Sequence, residues 1–563
     1  MSLGYADRLS FREDLGGRLG APELFDDAAR VADEVERLAE MVRCAERVVA
    51  FTGAGISTAC GIPDFRGPGG VWTLQRAGKP PPRLQTSFVY AKPSLTHMAL
   101  VALMQAGKLT YICSQNVDGL HLRSGVPRAQ LAELHGNCFA ERCRRCGAEY
   151  VRDFEMDTVG FKPSGRGCTR PGCRGKLHDH ILDWEDALPD DELDETERRA
   201  DEADLSICLG TSLQIVPAAN LPLRTLKTGG QLAIINLQAT PKDRRATLVV
   251  HARVDGVMAL LLRRLGLGVP RYTRSDAVVV GHRAWKDRRA FEEAGGEEED
   301  AQQQQQQQDL DQQQKPQQEH QQEKQLQEKQ LQEQQQQEEQ QQGKQQQQDG
   351  HSNGWGFTLT LSSVHGAECP LPMVRAAEVA FPGTPGLRPA RLEGGAPLTV
   401  RRWVGGGEGR GVVVARVRLL LVDAADEDKR VVEFDYTLTP ARTAVPQTIT
   451  FETQRHDYSD QQQRLCGELE ASAAAARAAA AAGAGGGGVG RGGGARAKGR
   501  PRAAGSGAGA RYEEREVEGR EVEEELEDGG GGGAAAGDGA GRGTGAGAGG
   551  TGRARKKARR LNL

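Results

Sequence analysis

The chain is 563 residues long with a formal net charge of −4, 73 glycines and only 5% aromatic residues. One core cannot serve such a length, and so glycine-rich a composition leaves much of the chain unable to bury the apolar surface that folding needs. No apolar run approaches the roughly 18 residues of a membrane span. The opening MSLGYADRLSFRED has charges where a signal peptide's apolar run would stand, so no leader is expected. Eleven unevenly spread cysteines do not read as a disulfide framework, which points to a reducing, intracellular compartment.

Along the chain, Asp26 and Asp27 precede apolar residues at Ala28, Val31, Val35, Leu38 and Val42, a spacing that predicts a helix over about 24–45. RVVAFTGAG reads as a buried strand entering a tight turn, and LTYICSQN (109–116), ADLSICLGTS (203–212) and QLAIINLQ (231–238) repeat the plan. Each is an apolar strand with polar residues at its carboxyl end. Helical patterns such as LTHMALVALMQAG lie between them, so the expected fold is an open, Rossmann-like parallel sheet with ligands at the carboxyl ends of its strands. Between 138 and 180 the pattern gives way to Cys, Arg, Gly and Pro, which reads as a small inserted lobe. A Gln/Glu-rich tract over 284–350 reads as a disordered linker. β-like runs over 351–455 predict a small all-β domain, and 456–563 reads as a disordered Gly/Ala/Arg tail with a basic end.

Two motifs carry chemistry. Cys143-x2-Cys146 and Cys168-x4-Cys173 are two pairs about twenty residues apart, able to converge on a closed, structural zinc site. Cys138, His178 and His180 could compete, but four cysteines already fill the shell, and His135, just ahead of the first pair, is not needed. The turn Gly53-Ala54-Gly55-Ile56-Ser57-Thr58 follows a strand and is read as opening a helix, where two glycines let backbone amides approach a pyrophosphate. The third glycine of the dinucleotide fingerprint is missing and no acidic residue closes the next strand, so a purely structural turn fits that motif equally well.

The motifs GAGISTACGIPDFRGPGGVW, SQNVDGLH, LAELHGN, GTSLQIVP and INLQ occur in order, and together they resemble the sirtuins, the NAD-dependent protein lysine deacylases. GVWTLQ, HMALV, SQNVDGLHLRSG and ILDWEDALPD look most like the class IV, nuclear sirtuin 6 type, with a shorter loop between Cys168 and Cys173. The resemblance covers residues 1–272 and implies a catalytic domain there, with NAD as cosubstrate and a structural zinc ion. It implies His135 as the general base, acting on a ribose hydroxyl, with Asn116 and Asp118 holding the nicotinamide carboxamide and ribose. Gly53, Ala54, Gly55, Thr58, Asp64, Phe65 and Arg66 would line the phosphate and ribose path, Phe65 shielding the reacting carbon from water. Gln115 would meet the ribose, Gly210, Thr211 and Ser212 the phosphates, and Asn236, Leu237, Gln238 and Val254 the adenine side. Trp72 would flank an acyl tunnel, and WEDALP would offer an edge to a substrate peptide.

The function implied is deacylation of histone or other protein lysines in the nucleus, giving nicotinamide and O-acyl-ADP-ribose. Mono-ADP-ribosyl transfer to protein and a non-catalytic reader of NAD or acyl-lysine are the rival readings. The cluster from Arg553 to Arg560 reads as a nuclear import signal or a chromatin and DNA contact. No membrane partner is expected, and the sequence leaves the oligomeric state open.

Overall fold

A computed structural model describes residues 5, 8–10, 12, 17–82, 85–295, 354–393, 397–405, 411–422, 431–440 and 445–484, with side chains to 481. Most of the Gln/Glu tract and the basic end therefore lie outside the described residues.

The N-terminal half is built on six parallel strands: β1 (Val48–Thr52), β2 (Leu109–Ser114), β3 (Leu131–Glu133), β8 (Leu205–Leu209), β9 (Gln231–Ile235) and β10 (Leu248–Val250), in the order β10-β9-β8-β1-β2-β3. β1 and β8 are fully buried along their length, as expected of strands covered on both faces. One face packs against the helices Ala28–Cys44, Leu95–Gln105 and Val254–Arg264, the other against Asp190–Glu202 and Pro222–Lys227. Asp27 caps the first helix by accepting from the backbone N–H groups of Ala29 and Arg30. The strand order reverses direction between β1 and β8, which opens a crevice at their carboxyl ends, the usual ligand site of such sheets. The turn after β1 is not the regular helix expected from the sequence. It is two short 3-10 turns, Ala54–Ile56 and Thr58–Cys60, closed by Gly61 in the left-handed region and stopped at Pro63.

The inserted lobe is a four-stranded antiparallel sheet, β5-β4-β7-β6, from β4 (Gly136–Cys143), β5 (Glu149–Val151), β6 (Pro163–Gly167) and β7 (Lys176–Ile181). The second half is a β-sandwich. Its first sheet runs β15-β12-β11-β18 and its second β14-β13-β16-β17. The strands are β11 (Tyr272–Trp285), β12 (Gly354–Ser363), β13 (Val374–Ala380), β14 (Ala390–Glu393), β15 (Leu398–Gly405), β16 (Val413–Leu421), β17 (Val431–Leu438) and β18 (Gln447–His456). Both sheets bury their inner faces in one core. In β16, Val413, Ala415, Val417, Leu419 and Leu421 point inward while Arg416 and Arg418 alternate outward. Ala284 and Trp285, expected in the linker, are the last residues of β11.

The expectation of a disordered tail from 456 needs correction. A 26-residue helix runs over Ser459–Ala484. Alanine is the strongest helix former, and Tyr458, Leu465, Cys466, Leu469 and Ala473 form an apolar stripe that packs into the core of the parallel-sheet domain.

Candidate active site

Three strand ends build the floor of the crevice. Gly53 and Gly55 leave β1, Gln115 and Asn116 leave β2, and Gly210 to Ser212 leave β8. The β1 and β8 turns interlock on glycine: the Gly55 N–H donates to the Gly210 carbonyl at 2.9 Å, and a Cβ on Gly55 would stand 2.8 Å from the Gly210 Cα. Gly210 itself has φ +58°, and a Cβ there would lie 2.7 Å from the Gly55 carbonyl carbon. The Gln115 N–H donates to the Thr52 carbonyl at 3.0 Å, and its side-chain amide to Thr211 Oγ1 at 3.1 Å. The two glycine turns thus leave backbone exposed at the strand ends, the kind of cradle a pyrophosphate requires.

The sequence-derived residues converge on this cradle. Gly53, Ala54, Gly55, Asp64, Phe65, Arg66, Trp72, Gln115, Asn116, His135, Gly210, Thr211, Ser212, Asn236 and Gln238 line one cavity of about 120 Å³. Thr58, Leu237 and Val254 line a second cavity of about 560 Å³ that shares Gly55, Asp64, Gly210, Asn236 and Gln238 with the first. Asp118 is displaced from both and lines a smaller recess with Ala54, Ser57, Phe65 and Asn116. The link is Ser57, which the sequence reading left without a role. Its hydroxyl donates to Asp118 Oδ2 at 2.7 Å and accepts from Asn116 Nδ2 at 3.3 Å. Asn116 Nδ2 also reaches the Gly53 carbonyl at 3.1 Å, so the two polar residues after β2 are locked to the β1 turn. Ser57 lies inside the quoted turn motif, and a polar side chain at a buried turn was the available signal.

His135 follows β3. Its Nδ1 lies 3.1 Å from the Gln115 carbonyl, which can only accept, so the ring proton sits on Nδ1. Nε2 is then the lone-pair nitrogen, shut off from solvent and without a protein partner. Burial pushes the imidazole down to about 4; the Gln115 hydrogen bond opposes this and the Arg66 charge adds to it. Without ligand the ring is therefore neutral throughout the physiological range. His135 also lines an apolar slot with Trp72, Leu182, Trp184 and Ile215.

The slot's walls are aromatic. Phe65 and Trp72 ring centroids stand 4.5 Å apart, Trp72 and Trp184 4.9 Å apart, and the Arg66 guanidinium lies 4.6 Å from the Trp72 centroid. Burial lowers Arg66 to about 10, with Asp64 opposing, and burial raises the Asp64 carboxyl. Gln238 spends its side-chain amide on the Ala21 carbonyl at 2.6 Å, and Asn236 Nδ2 donates to the Gln238 carbonyl at 2.8 Å.

In the lobe, the sulfur atoms of Cys143, Cys146, Cys168 and Cys173 lie within 4.8 Å of one another, and the pairs Cys143–Cys173 and Cys146–Cys168 are 3.7 Å apart. A zinc ion bonded to four thiolates at about 2.3 Å spaces its sulfurs about 3.8 Å apart, so the cluster fits. None of Cys138, His178 and His180 belongs to it. Tyr150 braces the cluster: its hydroxyl accepts from the N–H groups of Thr169 and Arg170 at 3.0 and 3.1 Å and lies 3.1 Å from the Cys168 sulfur. In a second group of possible ligands, Glu149, His180 and Glu192, the two carboxylates are instead paired with Arg128 and Arg142 in an ion-pair network.

A sequence model of the Sir2 family matches residues 82–217. The chain is 44% identical over 393 residues to "NAD-dependent protein deacetylase SRT1" of Oryza sativa subsp. indica, covering 70% of this chain and 68% of that protein. To the SRT1 deacetylase of Arabidopsis thaliana it is 55% identical over 276 residues, covering 49% of this chain and 58% of that protein. To "NAD-dependent protein deacetylase Sirt6" of Drosophila melanogaster it is 46% identical over 283 residues, covering 49% of this chain and 89% of that protein. The rice alignment is longer than residues 1–272, so likeness to a known protein reaches further than the sequence motifs alone indicate. Among solved structures, "Sir2-p53 peptide-NAD+" aligns at 31% identity over 41% of this chain and 98% of that chain, with a TM-score of 0.33.

Proposed function

The chain belongs to the Sir2 family, and on that premise we propose that it is an NAD-dependent protein lysine deacylase of the sirtuin 6 type, nuclear, acting on histone or other chromatin-bound lysines. One observation carries the catalytic reading: His135, whose Nε2 has no protein partner, lines both the nucleotide cavity and the apolar slot. Bound NAD supplies an electrophilic ribose carbon with nicotinamide as its leaving group. The glycine cradle takes the pyrophosphate, and Asn116 and Asp118, held through Ser57, orient the nicotinamide end. The aliphatic stem of an acyl-lysine lies in the apolar slot that Trp72, Leu182, Trp184 and Ile215 line. Phe65, stacked on Trp72, keeps water from the reacting carbon. With NAD bound, Nε2 of His135 would accept a proton from a ribose hydroxyl, and the Gln115 carbonyl, accepting from Nδ1–H, would stabilise the imidazolium so formed. Zinc, held by the four cysteines, fixes the lobe that carries β4 and β7 beside His135.

The sirtuin 6 type is supported by the Drosophila relative, and the chromatin substrate by the basic cluster at 553–560, which lies outside the described residues. The test is a panel of acylated histone peptides incubated with NAD and read by mass spectrometry. Deacylated peptide with an equal amount of O-acyl-ADP-ribose supports the reading. ADP-ribosylated protein in its place assigns transfer to protein, and NAD binding without turnover assigns a reader.

A further inference from the structure

The helix Ser459–Ala484 has no part in the site as described, yet it reaches it. Cys466 and Ala473 are buried in the same core as Val257, Leu260 and Leu261. The Gln462 side chain accepts from the Val269 N–H at 3.1 Å and donates to the Leu267 carbonyl at 3.2 Å. Glu470 pairs with Arg263 at 3.2 Å and Arg264 at 2.9 Å, and the Tyr458 hydroxyl donates to the Pro93 carbonyl. These contacts fix the helix in rotation as well as position. They bring Gln461, Leu465, Glu468 and Leu469 to the lining of the larger, 560 Å³ cavity, which Leu237 and Val254 also line.

That cavity begins at the same Gly55–Gly210 turn as the His135 cavity. A dinucleotide whose nicotinamide end reaches His135 and whose pyrophosphate sits on the turn must leave its adenosine end on the far side of the turn. The 120 Å³ space beside His135 is too small for it, whereas 560 Å³ is within the range of small-molecule sites. Leu237, Val254, Leu465 and Leu469 give apolar surface for the two faces of a purine, and Gln461 and Glu468 add hydrogen-bonding groups on the same wall.

We propose that the helix following the β-sandwich forms the outer wall of the adenosine site, so that affinity for NAD depends on Leu465 and Leu469, about 200 residues beyond the parallel-sheet domain. This rests on the reading of the cleft as an NAD site. It makes the β-sandwich, whose β18 leads directly into the helix, part of the cosubstrate machinery.

The test uses the full chain carrying Leu465→Ala with Leu469→Ala, and a control variant Glu470→Gln, which weakens docking without facing the cavity. Binding of AMP, ADP-ribose and nicotinamide is measured by calorimetry, with zinc content and melting temperature alongside. Two leucines' worth of lost apolar contact predicts a Kd for AMP and ADP-ribose raised by at least about fivefold, with nicotinamide binding unchanged. The control should stay within about twofold for all three. AMP affinity unchanged in the double variant would overturn the proposal, as would an equal loss for AMP and nicotinamide, which would mark a general loosening. An unsubstituted protein that binds neither ADP-ribose nor AMP would overturn the NAD reading itself.

Discussion

Replacing Gly210 by alanine tests the interlocked turns on which the cleft is built. Two effects add. An alanine at φ +58° carries the strain of the left-handed region, about 1–2 kcal/mol. Its Cβ would also stand 2.7 Å from the carbonyl carbon of Gly55 and from the N of Ile56, backbone that cannot rotate away, an overlap of the kind that costs about 1–3 kcal/mol. Gly229 separates the two effects, because its φ is +89° but a Cβ there meets nothing within 4 Å. Gly229→Ala should therefore lose only the strain, and Gly210→Ala about 1–3 kcal/mol more. Any relief by backbone movement lengthens the hydrogen bond from Gly55 to Gly210 and displaces the Gly53–Ser57 turn, so ADP-ribose affinity should fall at least about tenfold in Gly210→Ala alone. Thermal melts and calorimetric titration of both variants decide it. Equal melting temperatures, or parental ADP-ribose affinity in Gly210→Ala, would refute the close-approach argument.

Cys143→Ser should lose zinc and unfold the lobe, whose small sheet depends on metal binding worth about 10–16 kcal/mol in comparable peptides; one equivalent of zinc in the variant by mass spectrometry would refute the four-cysteine site. Burial holds His97 and His121 each at about 3, below the unfolded value of about 6.5. Their neutral burial stabilises fully above pH 6.5 and is lost as pH falls towards 3, so at pH 5 the pair should cost up to about 4 kcal/mol. Denaturant midpoints at pH 7.5 and 5 check this, and a His121→Asn variant should show a smaller drop. A chain ending at residue 285 would uncover the core residues beneath Tyr458, Cys466 and Ala473 and leave β11 without its partners, so it should melt lower and aggregate; a monomeric fragment with the parental melting temperature would contradict that.

Much of the site was legible because its chemistry is local in sequence. The two cysteine pairs needed only their spacing, and β1, β2, β8 and β9 announced themselves as apolar runs with polar residues at their carboxyl ends. The three-residue strands β3 and β10 are too short to show a period. The Gly53 turn looked like a helix start because its glycines satisfy that pattern, while the constraint that shapes it, Gly210, lies about 155 residues away. His135 was found, but its depressed pKa depends on burial and on Arg66, which no local pattern reports. The helix at Ser459–Ala484 was hidden by composition: alanine and arginine read as low complexity, and its stripe, Leu465, Cys466, Leu469 and Ala473, is sparse. Those four residues nevertheless fall at helical spacing, which is the period that marks the helix.

The most direct measurement compares the full-length protein with its His135→Ala variant, incubated with NAD and an acetylated histone peptide. The parent should release nicotinamide in equal amount to deacetylated peptide. The variant should lose at least about a hundredfold in the rate of deacetylated peptide while keeping one zinc per chain and the parental melting temperature. Parental turnover in the variant, or loss of zinc from it, would contradict the assignment of His135 as the base.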